Sequence, residues 1–158
     1  MNTYMNWFRL VVCGMTVSIA GMAFAQTPAS DKNSGVQVMH FDAAKVNASF
    51  EKGAPLLPGT EDGHYQILTA RREKAGQSEL HAKFTDVIYV VEGTATFVTG
   101  GEVVDGKTTA PDEIRGESIK GGTTRKLAKG DVIVVPNNTA HQFVEVNPPF
   151  LYLVVKVK

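Results

Sequence analysis

Short strand-like runs, separated by turns that contain glycine, are the feature that most restricts the fold of this chain. They recur from residue 64 onward, each about four to nine residues long, and several alternate apolar and polar residues with the two-residue period of a strand. The runs cover residues 64–72, 79–83, 86–91, 94–99, 132–135, 141–146 and 150–157. The chain also contains 15 glycines and is rich in valine and threonine. This pattern predicts an all-β fold, a sandwich or barrel rather than a parallel α/β sheet.

One helical segment interrupts this pattern near the start of the predicted domain. Asp42 can cap a short helix over residues 43–50, in which two apolar residues lie four positions apart on one face. Residues 36–41 before the helix are predicted to form a short strand. The charged, glycine-rich residues 110–122 are predicted to form an insertion loop near the mouth of the barrel cavity.

The first residues have the features of an export signal. Arg9 is followed by an apolar run over residues 10–22 and by an A-x-A cleavage sequence that ends at Ala25. The run is short for a membrane span and contains two glycines, which disfavours a permanent anchor. We therefore expect a periplasmic or secreted protein, without a membrane segment after cleavage. The predicted organisation is a signal peptide, a flexible linker and one barrel domain, over residues 1–25, 26–37 and 38–158.

Charge and cysteine content exclude several kinds of function. The chain has 16 basic and 16 acidic residues, so its net charge gives no indication of nucleic-acid binding. Its single cysteine, Cys13, lies in the predicted signal peptide. The mature chain is therefore expected to have neither a disulfide nor a thiolate-bound metal.

Acidic and imidazole side chains are concentrated in the run that begins at residue 79. Side chains on a strand alternate between its two faces, so Glu79, His81 and Lys83 are expected to point in the same direction. Asp86 would join them if the chain bends just before it. This run therefore predicts one half of a binding site.

The other half is predicted about 60 residues later. His141, Phe143 and Glu145 alternate along another strand and are expected to share one face. Two carboxylates and two imidazoles would then converge, a donor set suited to Mn²⁺, Fe²⁺, Ni²⁺ or Zn²⁺. The predicted metal ligands are Glu79, His81, Asp86 and His141.

These two segments resemble the two motifs of the cupin superfamily. The first family motif is a pair of histidines one residue apart, a gap of three or four, a glutamate, six residues and a glycine. This chain has the same spacing, with Glu79 at the first histidine, His81 at the second, Asp86 at the glutamate and Gly93 at the end. In a competing register, His81 and Lys83 would take the histidine positions, but the gap to Asp86 would be shorter than in the family.

The second family motif has a closer match. It is a glycine, five residues, Pro-x-Gly, two residues, a histidine, three residues and an asparagine. The chain has Gly130, Pro136, Asn138, His141 and Glu145 at these positions. Asn138 replaces a glycine, and asparagine is the residue other than glycine that best tolerates a positive φ, so the turn can be retained.

The resemblance implies a single-domain cupin: a small antiparallel β-barrel of the double-stranded β-helix, or jelly-roll-like, type with the site inside. It also implies a homodimer. The predicted function is that of an exported cupin that binds a divalent metal, Mn²⁺ or Fe²⁺ before Ni²⁺ or Zn²⁺, and acts on a small molecule. Oxygenase, isomerase and lyase chemistry are all compatible with such a site, and the residues leave open whether the protein is an enzyme.

An alternative is a metal-free cupin that binds a small ligand. Here the ammonium of Lys83 would neutralise Glu79 or Asp86 and take the place of the metal. In either case the substrate contacts are predicted from residues near the expected cavity. They are Lys83, Phe97, Phe143 and Arg71, where Arg71 or its neighbour Arg72 would face an anionic ligand.

Overall fold

The computed structural model describes residues 38–60 and 63–158. The predicted signal peptide and linker, residues 1–37, lie outside these ranges. Within it the chain forms one helix and eleven strands. They are α1 (Ala43–Lys52), β1 (Pro55–Leu57), β2 (Tyr65–Arg72), β3 (Ser78–His81), β4 (Thr85–Thr99), β5 (Glu102–Val104), β6 (Lys107–Ala110), β7 (Glu113–Gly116), β8 (Ser118–Lys120), β9 (Thr123–Ala128), β10 (Val132–Val135) and β11 (His141–Val157).

The predicted short helix is present as α1. Asp42 caps it, because its carboxylate accepts a hydrogen bond of 2.8 Å from the backbone N–H of Lys45. The helix ends at Lys52, and the left-handed conformation of the next residue, Gly53 (φ 60°), lets its N–H bond back to Phe50. The strand predicted just before the helix is wrong for its described part, because residues 38–41 have no regular structure.

The strands pair antiparallel in two sheets. The main sheet of nine strands has the order β1-β2-β11-β3-β7-β6, and β4 joins it by pairing with β11, β9 and β10. A smaller sheet is formed by β5 and β8. The two longest strands, β4 and β11, therefore connect most of the sheet, and the curled sheet encloses the core. This is the small antiparallel β-barrel that the sequence predicts.

Strand β4 runs through the glycine that was expected to end it. Gly93 has φ 82°, and a Cβ at this position would lie 2.7 Å from the carbonyl oxygen of Pro149 and 3.0 Å from that of Asn147. Opposite it, the register of β11 shifts between Asn147 and Leu151. Gly93 thus permits a bend in two paired strands and does not form a turn that ends β4.

A β-bulge changes the side-chain alternation at the start of β11. The register with β4 shifts between Phe143 and Glu145, which leaves Val144 without a partner. His141, Gln142 and Phe143 precede the bulge and are buried, whereas Glu145 follows it, points outward and pairs with Lys126 at 3.1 Å. The prediction that Glu145 shares the face of His141 is therefore wrong.

The predicted insertion loop over residues 110–122 contains two short strands. β7 pairs with β3 along its whole length, and β8 pairs with β5. These strands are polar because β7 lies between the short strands β3 and β6 beside the cavity, where half-buried charged residues pair with each other. The prediction of a loop is wrong, although the segment does lie beside the cavity.

Apolar side chains from β4, β9, β10 and β11 form one core cluster. Its members are Ile88, Val90, Ala95, Phe97, Leu127, Val135, Phe143, Phe150, Tyr152 and Val154. Aromatic rings stack through its centre, with centroids of Phe97 and Phe143 4.4 Å apart. In the part of the chain that is described, no helix is both long enough and apolar enough to cross a membrane.

Candidate metal centre

Two buried histidines lie side by side at one end of the aromatic core. His81 ends β3 and His141 begins β11, and their ring centroids are 5.2 Å apart. The ring of His141 also lies 5.9 Å from that of Phe97. Both imidazoles are about 5–6% exposed, so the protein holds their nitrogens in an environment from which water is largely excluded.

Glu79 completes a group of three donors. It lies directly opposite His141 in the antiparallel pairing of β3 with β11. One ligand atom from each of Glu79, His81 and His141 can be chosen so that all lie within 4.8 Å of one another. The alternation predicted for β3 therefore brings Glu79 and His81 to the same cluster, as a single metal ion would require.

The tautomer of His141 is set by its own loop. Its Nδ1 lies 3.2 Å from the carbonyl oxygen of Thr139, and a carbonyl can only accept, so Nδ1 carries the proton. Nε2 is left with a lone pair that faces the cluster. The turn that positions Thr139 contains Asn138 with φ 57°, as the sequence predicts. This backbone contact to the second ring nitrogen is typical of metal-binding histidines.

His81 has a buried nitrogen without a hydrogen-bond partner. Within the described residues, its Nε2 accepts and donates no hydrogen bond. It lies 3.5 Å from Oδ2 of Asp86 and 3.7 Å from Oε2 of Glu79, so it points between two carboxylates. An orphaned nitrogen at the centre of a donor cluster fits a divalent transition metal, which oxygen and imidazole ligands both suit.

Both imidazoles are held in their neutral form. Burial lowers the pKa of His81, and the nearby Lys156 ammonium lowers it further against the opposing charge of Asp86. Burial also lowers the pKa of His141, although its bond to the Thr139 carbonyl acts in the other direction. A metal ligand must be unprotonated, so these shifts favour binding near neutral pH.

Asp86 lies beside the histidines but is bound to a cation. Its Oδ2 is 3.8 Å from Nε2 of His141, while Lys156 Nζ lies 2.7 and 2.8 Å from its two oxygens. Asp86 and Lys156 are direct partners in the pairing of β4 with β11. The bend expected at residues 84–85 lies slightly earlier, at residues 82–83, and β4 begins at Thr85. Asp86 therefore lies next to the cluster, as a donor shared with an ammonium group.

Arginines hold the carboxylate of Glu79. Arg115, its partner across β3 and β7, donates to Oε1 at 2.9 Å, and Nη2 of Arg72 lies 3.6 Å from the same oxygen. Arg115 also donates to Glu113 at 2.6 Å, and although burial opposes the ionisation of Glu113, this bond and charge lower its pKa. Oε1 of Glu79 is thus held by guanidinium groups, and Oε2 remains directed at His81.

The cluster lies in the wall of a cavity of about 510 Å³. Its polar side includes Arg72, Glu79, Asp86, Glu113, Arg115 and Lys156, and its apolar side includes Leu68, Phe84, Ile88, Phe143, Tyr152 and Val154. The cavity wall therefore combines charged groups around the donor cluster with apolar side chains, a composition typical of small-molecule sites.

The four predicted substrate contacts lie in different places. Phe143 lines the cavity, whereas Phe97 is fully buried in the core beneath His141. Lys83 is outside the cavity wall, because β3 ends before it; its side chain is 63% exposed and pairs with Asp112 at 2.9 Å. Arg71 points outward and pairs with Glu73 at 2.7 Å. The placements expected for Lys83, Arg71 and Phe97 beside the cavity are therefore wrong.

The cations that do face the cluster are Arg72, Arg115 and Lys156. The two-residue alternation of side chains along a strand predicts the cavity-facing direction of two of these cations. Arg72 follows Leu68 and Ala70 at a two-residue period, and Lys156 follows Tyr152 and Val154, so each charge continues a cavity-facing row. Arg115 lies in the segment predicted to be a loop, so alternation gives no direction for its side chain.

Comparison with known proteins identifies the fold. The cupin family model, described as Cupin, matches residues 53–158. No curated protein matches the chain by sequence. These residues include both motifs and every side chain of the cluster.

Three solved structures resemble this one at low sequence identity. Hydroquinone 1,2-dioxygenase from Sphingomonas sp. TTNP3, with 4-hydroxybenzoate bound, has 18% identity and a TM-score of 0.50 over 78% of this chain and 81% of its own. An uncharacterised conserved protein with a double-stranded β-helix domain from Klebsiella pneumoniae subsp. pneumoniae MGH 78578 has 15% identity and a TM-score of 0.49 over 69% and 86%. KdgF from Halomonas sp. has 20% identity and a TM-score of 0.43 over 60% and 69%.

Likeness at these identities concerns the fold. The match to the family model covers more than half of the chain, and the antiparallel barrel agrees with it. The chain therefore belongs to the cupin family.

Proposed function

We propose that this cupin binds one divalent transition metal through Glu79, His81 and His141, with Asp86 as a further donor. The observation that carries this proposal is the buried Nε2 of His81, which points at two carboxylates and has no hydrogen-bond partner within the described residues. A buried polar atom without a partner costs about 1–3 kcal/mol, and a metal ion at this position would remove that cost.

The donor set restricts the metal. Imidazole nitrogens and carboxylate oxygens without a thiolate suit Mn²⁺ or Fe²⁺, and are compatible with Ni²⁺ or Zn²⁺. Such an ion, when bound, supplies a Lewis acid that polarises an oxygen atom of a ligand. The substrate is then a small molecule with an oxygen donor, and the chemistry is of the oxygenase, isomerase or lyase type.

The chain contributes orientation and exclusion of water. Thr139 fixes the ring of His141 through Nδ1, and Arg115 fixes Glu79 through Oε1. The ring of Phe97 lies against His141 and packs on the ring of Phe143, so this side of the site is apolar. His141 and Glu79 are thus each held by a neighbour that would not itself contact the metal, as in other preorganised metal sites.

Metal content of the protein purified without chelators tests the proposal. We expect about one equivalent of transition metal per chain, and its loss in His141→Ala and Glu79→Gln. Two matched controls should retain it: His40→Ala, which removes an exposed histidine, and Glu145→Gln, which alters the outward-facing motif residue. Metal-free protein, or metal that is retained in both ligand variants, would contradict the proposal.

A metal-free ligand-binding cupin is the second candidate, and one observation favours it. Asp86 is already neutralised by Lys156, and Glu79 by Arg115, so both carboxylates have charge partners without a metal. The role first assigned to Lys83 would then belong to Lys156. In this case a chelator leaves the melting temperature unchanged, whereas loss of a bound metal from the first candidate lowers it.

Export and dimerisation remain predictions from the sequence. If the signal peptide is cleaved after Ala25, the mature protein begins at Gln26, which an intact-mass measurement on protein recovered from the periplasm or medium would detect. A molar mass of two chains in solution is the corresponding expectation for the homodimer.

A further inference from the structure

Arg72 is a cation in the cavity wall that uses few of its hydrogen-bond donors. Its Nε donates to the hydroxyl of Tyr152 at 2.7 Å. Within the described residues, neither terminal nitrogen makes a hydrogen bond to the protein, and Nη2 reaches only to 3.6 Å from Glu79. The side chain is 24% exposed and lines the cavity, so these donors are open to a ligand.

The guanidinium group is nevertheless held in place. Its carbon lies 4.9 Å from the ring centroid of Phe143 and 5.8 Å from that of Tyr152. The ring contact, the bond through Nε and the packing of Nη1 against Gly76 fix the group, and they leave the N–H groups of its outer edge without a hydrogen-bond acceptor among the described residues. That edge carries two parallel N–H donors, the geometry that binds a carboxylate through both of its oxygens.

Charges around the cavity point to an anionic ligand. Arg72, Arg115 and Lys156 balance Glu79, Asp86 and Glu113. Asp112 also lines the cavity, but its charge is paired with Lys83, which does not. A divalent ion added to this balanced set leaves an excess of two positive charges. The metal-loaded cavity is therefore complementary to an anion, and binding of metal and anion should favour each other.

We propose that Arg72 anchors the carboxylate of a small organic acid, whose apolar part lies against Leu68, Phe143 and Val154. An acid held there also lies next to the donor cluster, because Arg72 and the cluster share the carboxylate of Glu79. The dependence of acid binding on metal rests on the proposed metal-binding function; the contact between acid and Arg72 does not.

Binding of matched acid and amide probes tests the assignment. Benzoate and benzamide, and acetate and acetamide, have nearly the same shape but differ in charge. Calorimetric titration of each into Mn²⁺-loaded protein should give an acid-to-amide affinity ratio of about tenfold or more, typical of a charge-assisted pair of hydrogen bonds. Removal of Mn²⁺ with a chelator should reduce the affinity for the acids.

Variants of Arg72 decide whether the ratio depends on this residue. Arg72→Gln should bring acid and amide affinities within about twofold, and Arg72→Lys, which keeps the charge without the fork, should give an intermediate ratio. The control Arg71→Gln alters the outward-facing neighbour and should retain the full ratio. If Arg72→Gln fails to fold, Arg72→Lys still tests the assignment. An acid-to-amide affinity ratio equal to that of the wild type in this variant would contradict it.

The two proposals fail in different ways. If Mn²⁺ binds but acids have no preference over amides, Arg72 is not the anchor and the metal site stands. If Mn²⁺ does not bind but the metal-free protein prefers acids in a manner that depends on Arg72, the metal site is wrong and the anchor stands. An acid preference that persists in Arg72→Gln also overturns the anchor.

Discussion

Lys156 and Asp86 form a buried ion pair at the edge of the donor cluster. The two residues are direct cross-strand partners on β11 and β4, and Nζ lies 2.7 and 2.8 Å from the two carboxylate oxygens. Oδ2 of the same carboxylate lies 3.5 Å from the orphaned Nε2 of His81. An ammonium and a metal would therefore compete for one carboxylate.

Removal of this ammonium should destabilise the metal-free protein. Lys156→Met leaves the buried charge of Asp86 without its partner, a change that typically costs about 3–5 kcal/mol. The measurement is urea unfolding of chelator-treated protein. Lys126→Met, which breaks the exposed pair with Glu145, is the matched control and should have little effect. Equal losses in the two variants would contradict the importance of burial.

The same substitution should strengthen metal binding. In Lys156→Met both oxygens of Asp86 are free and one nearby positive charge is gone, so we expect the affinity for Mn²⁺ to rise about tenfold, or about 1.4 kcal/mol. Saturating Mn²⁺ should then restore more stability to the variant than to the wild type. Weaker or unchanged Mn²⁺ binding in the variant would show that Asp86 is not a ligand.

Stability of the metal-free protein should fall in acid. The pKa values of His81 and His141 are lowered from 6.5 in the fold, chiefly by burial, so below about 6.5 the unfolded chain takes up protons that the folded protein does not. The contribution of these two imidazoles to the free energy of unfolding is complete above about pH 6.5 and is lost as the pH falls below it. Three charged groups face both rings: Lys156 lowers the two pKa values further, whereas Asp86 and Glu79 act in the opposite direction.

Urea unfolding at a series of pH values between about 7 and 5 measures this loss. His141→Gln cannot titrate, so its stability should depend less on pH than that of the wild type. The exposed His40→Gln should retain the wild-type dependence. A His141→Gln profile parallel to that of the wild type would mean that the buried imidazole does not cause the acid sensitivity.

Spacing within a strand predicted the parts of the site that are local. Glu79 and His81 share a face because they are two residues apart on β3, and the turn through Asn138 delivers His141 to them. The bulge after Phe143 has no sequence signature that separates it from regular alternation. The face predicted for Glu145 is wrong for this reason.

Charge partners could not be predicted because they depend on register across strands. Arg115 meets Glu79, and Lys156 meets Asp86, each directly opposite its partner on a neighbouring strand more than 30 residues away. The prediction that Lys83 is the neutralising cation rests on its position two residues after His81. The strand ends at His81, so this alternation does not extend to Lys83.

Gly93 should be harder to replace than another glycine of similar conformation. Gly93 and Gly130 have φ of 82° and 92°, but only at Gly93 would a Cβ meet backbone oxygens, at 2.7 and 3.0 Å. Gly93→Ala should therefore lose about 1–3 kcal/mol more stability in urea unfolding than Gly130→Ala, which pays only for the strained φ. Equal losses would mean that β11 moves away at little cost.

We expect the homodimer to form along the outer edge of β10. Val132 and Val134 are 61% and 55% exposed, and Tyr89 beside them on β4 is 44% exposed. Within the described residues β10 pairs with β4 alone, so its other edge has backbone groups free to pair. An edge strand can pair antiparallel with its own copy about a two-fold axis, which would place these side chains next to those of the second chain.

Light scattering after size exclusion gives the molar mass that tests this expectation. The wild type should have the mass of two chains, and Val134→Lys should have the mass of one, because a charge on each side of the two-fold axis repels its copy. Val144→Lys, on β11, also adds a lysine at an exposed valine and should remain dimeric. A monomeric wild type, or two variants that dissociate alike, would contradict a dimer formed through β10.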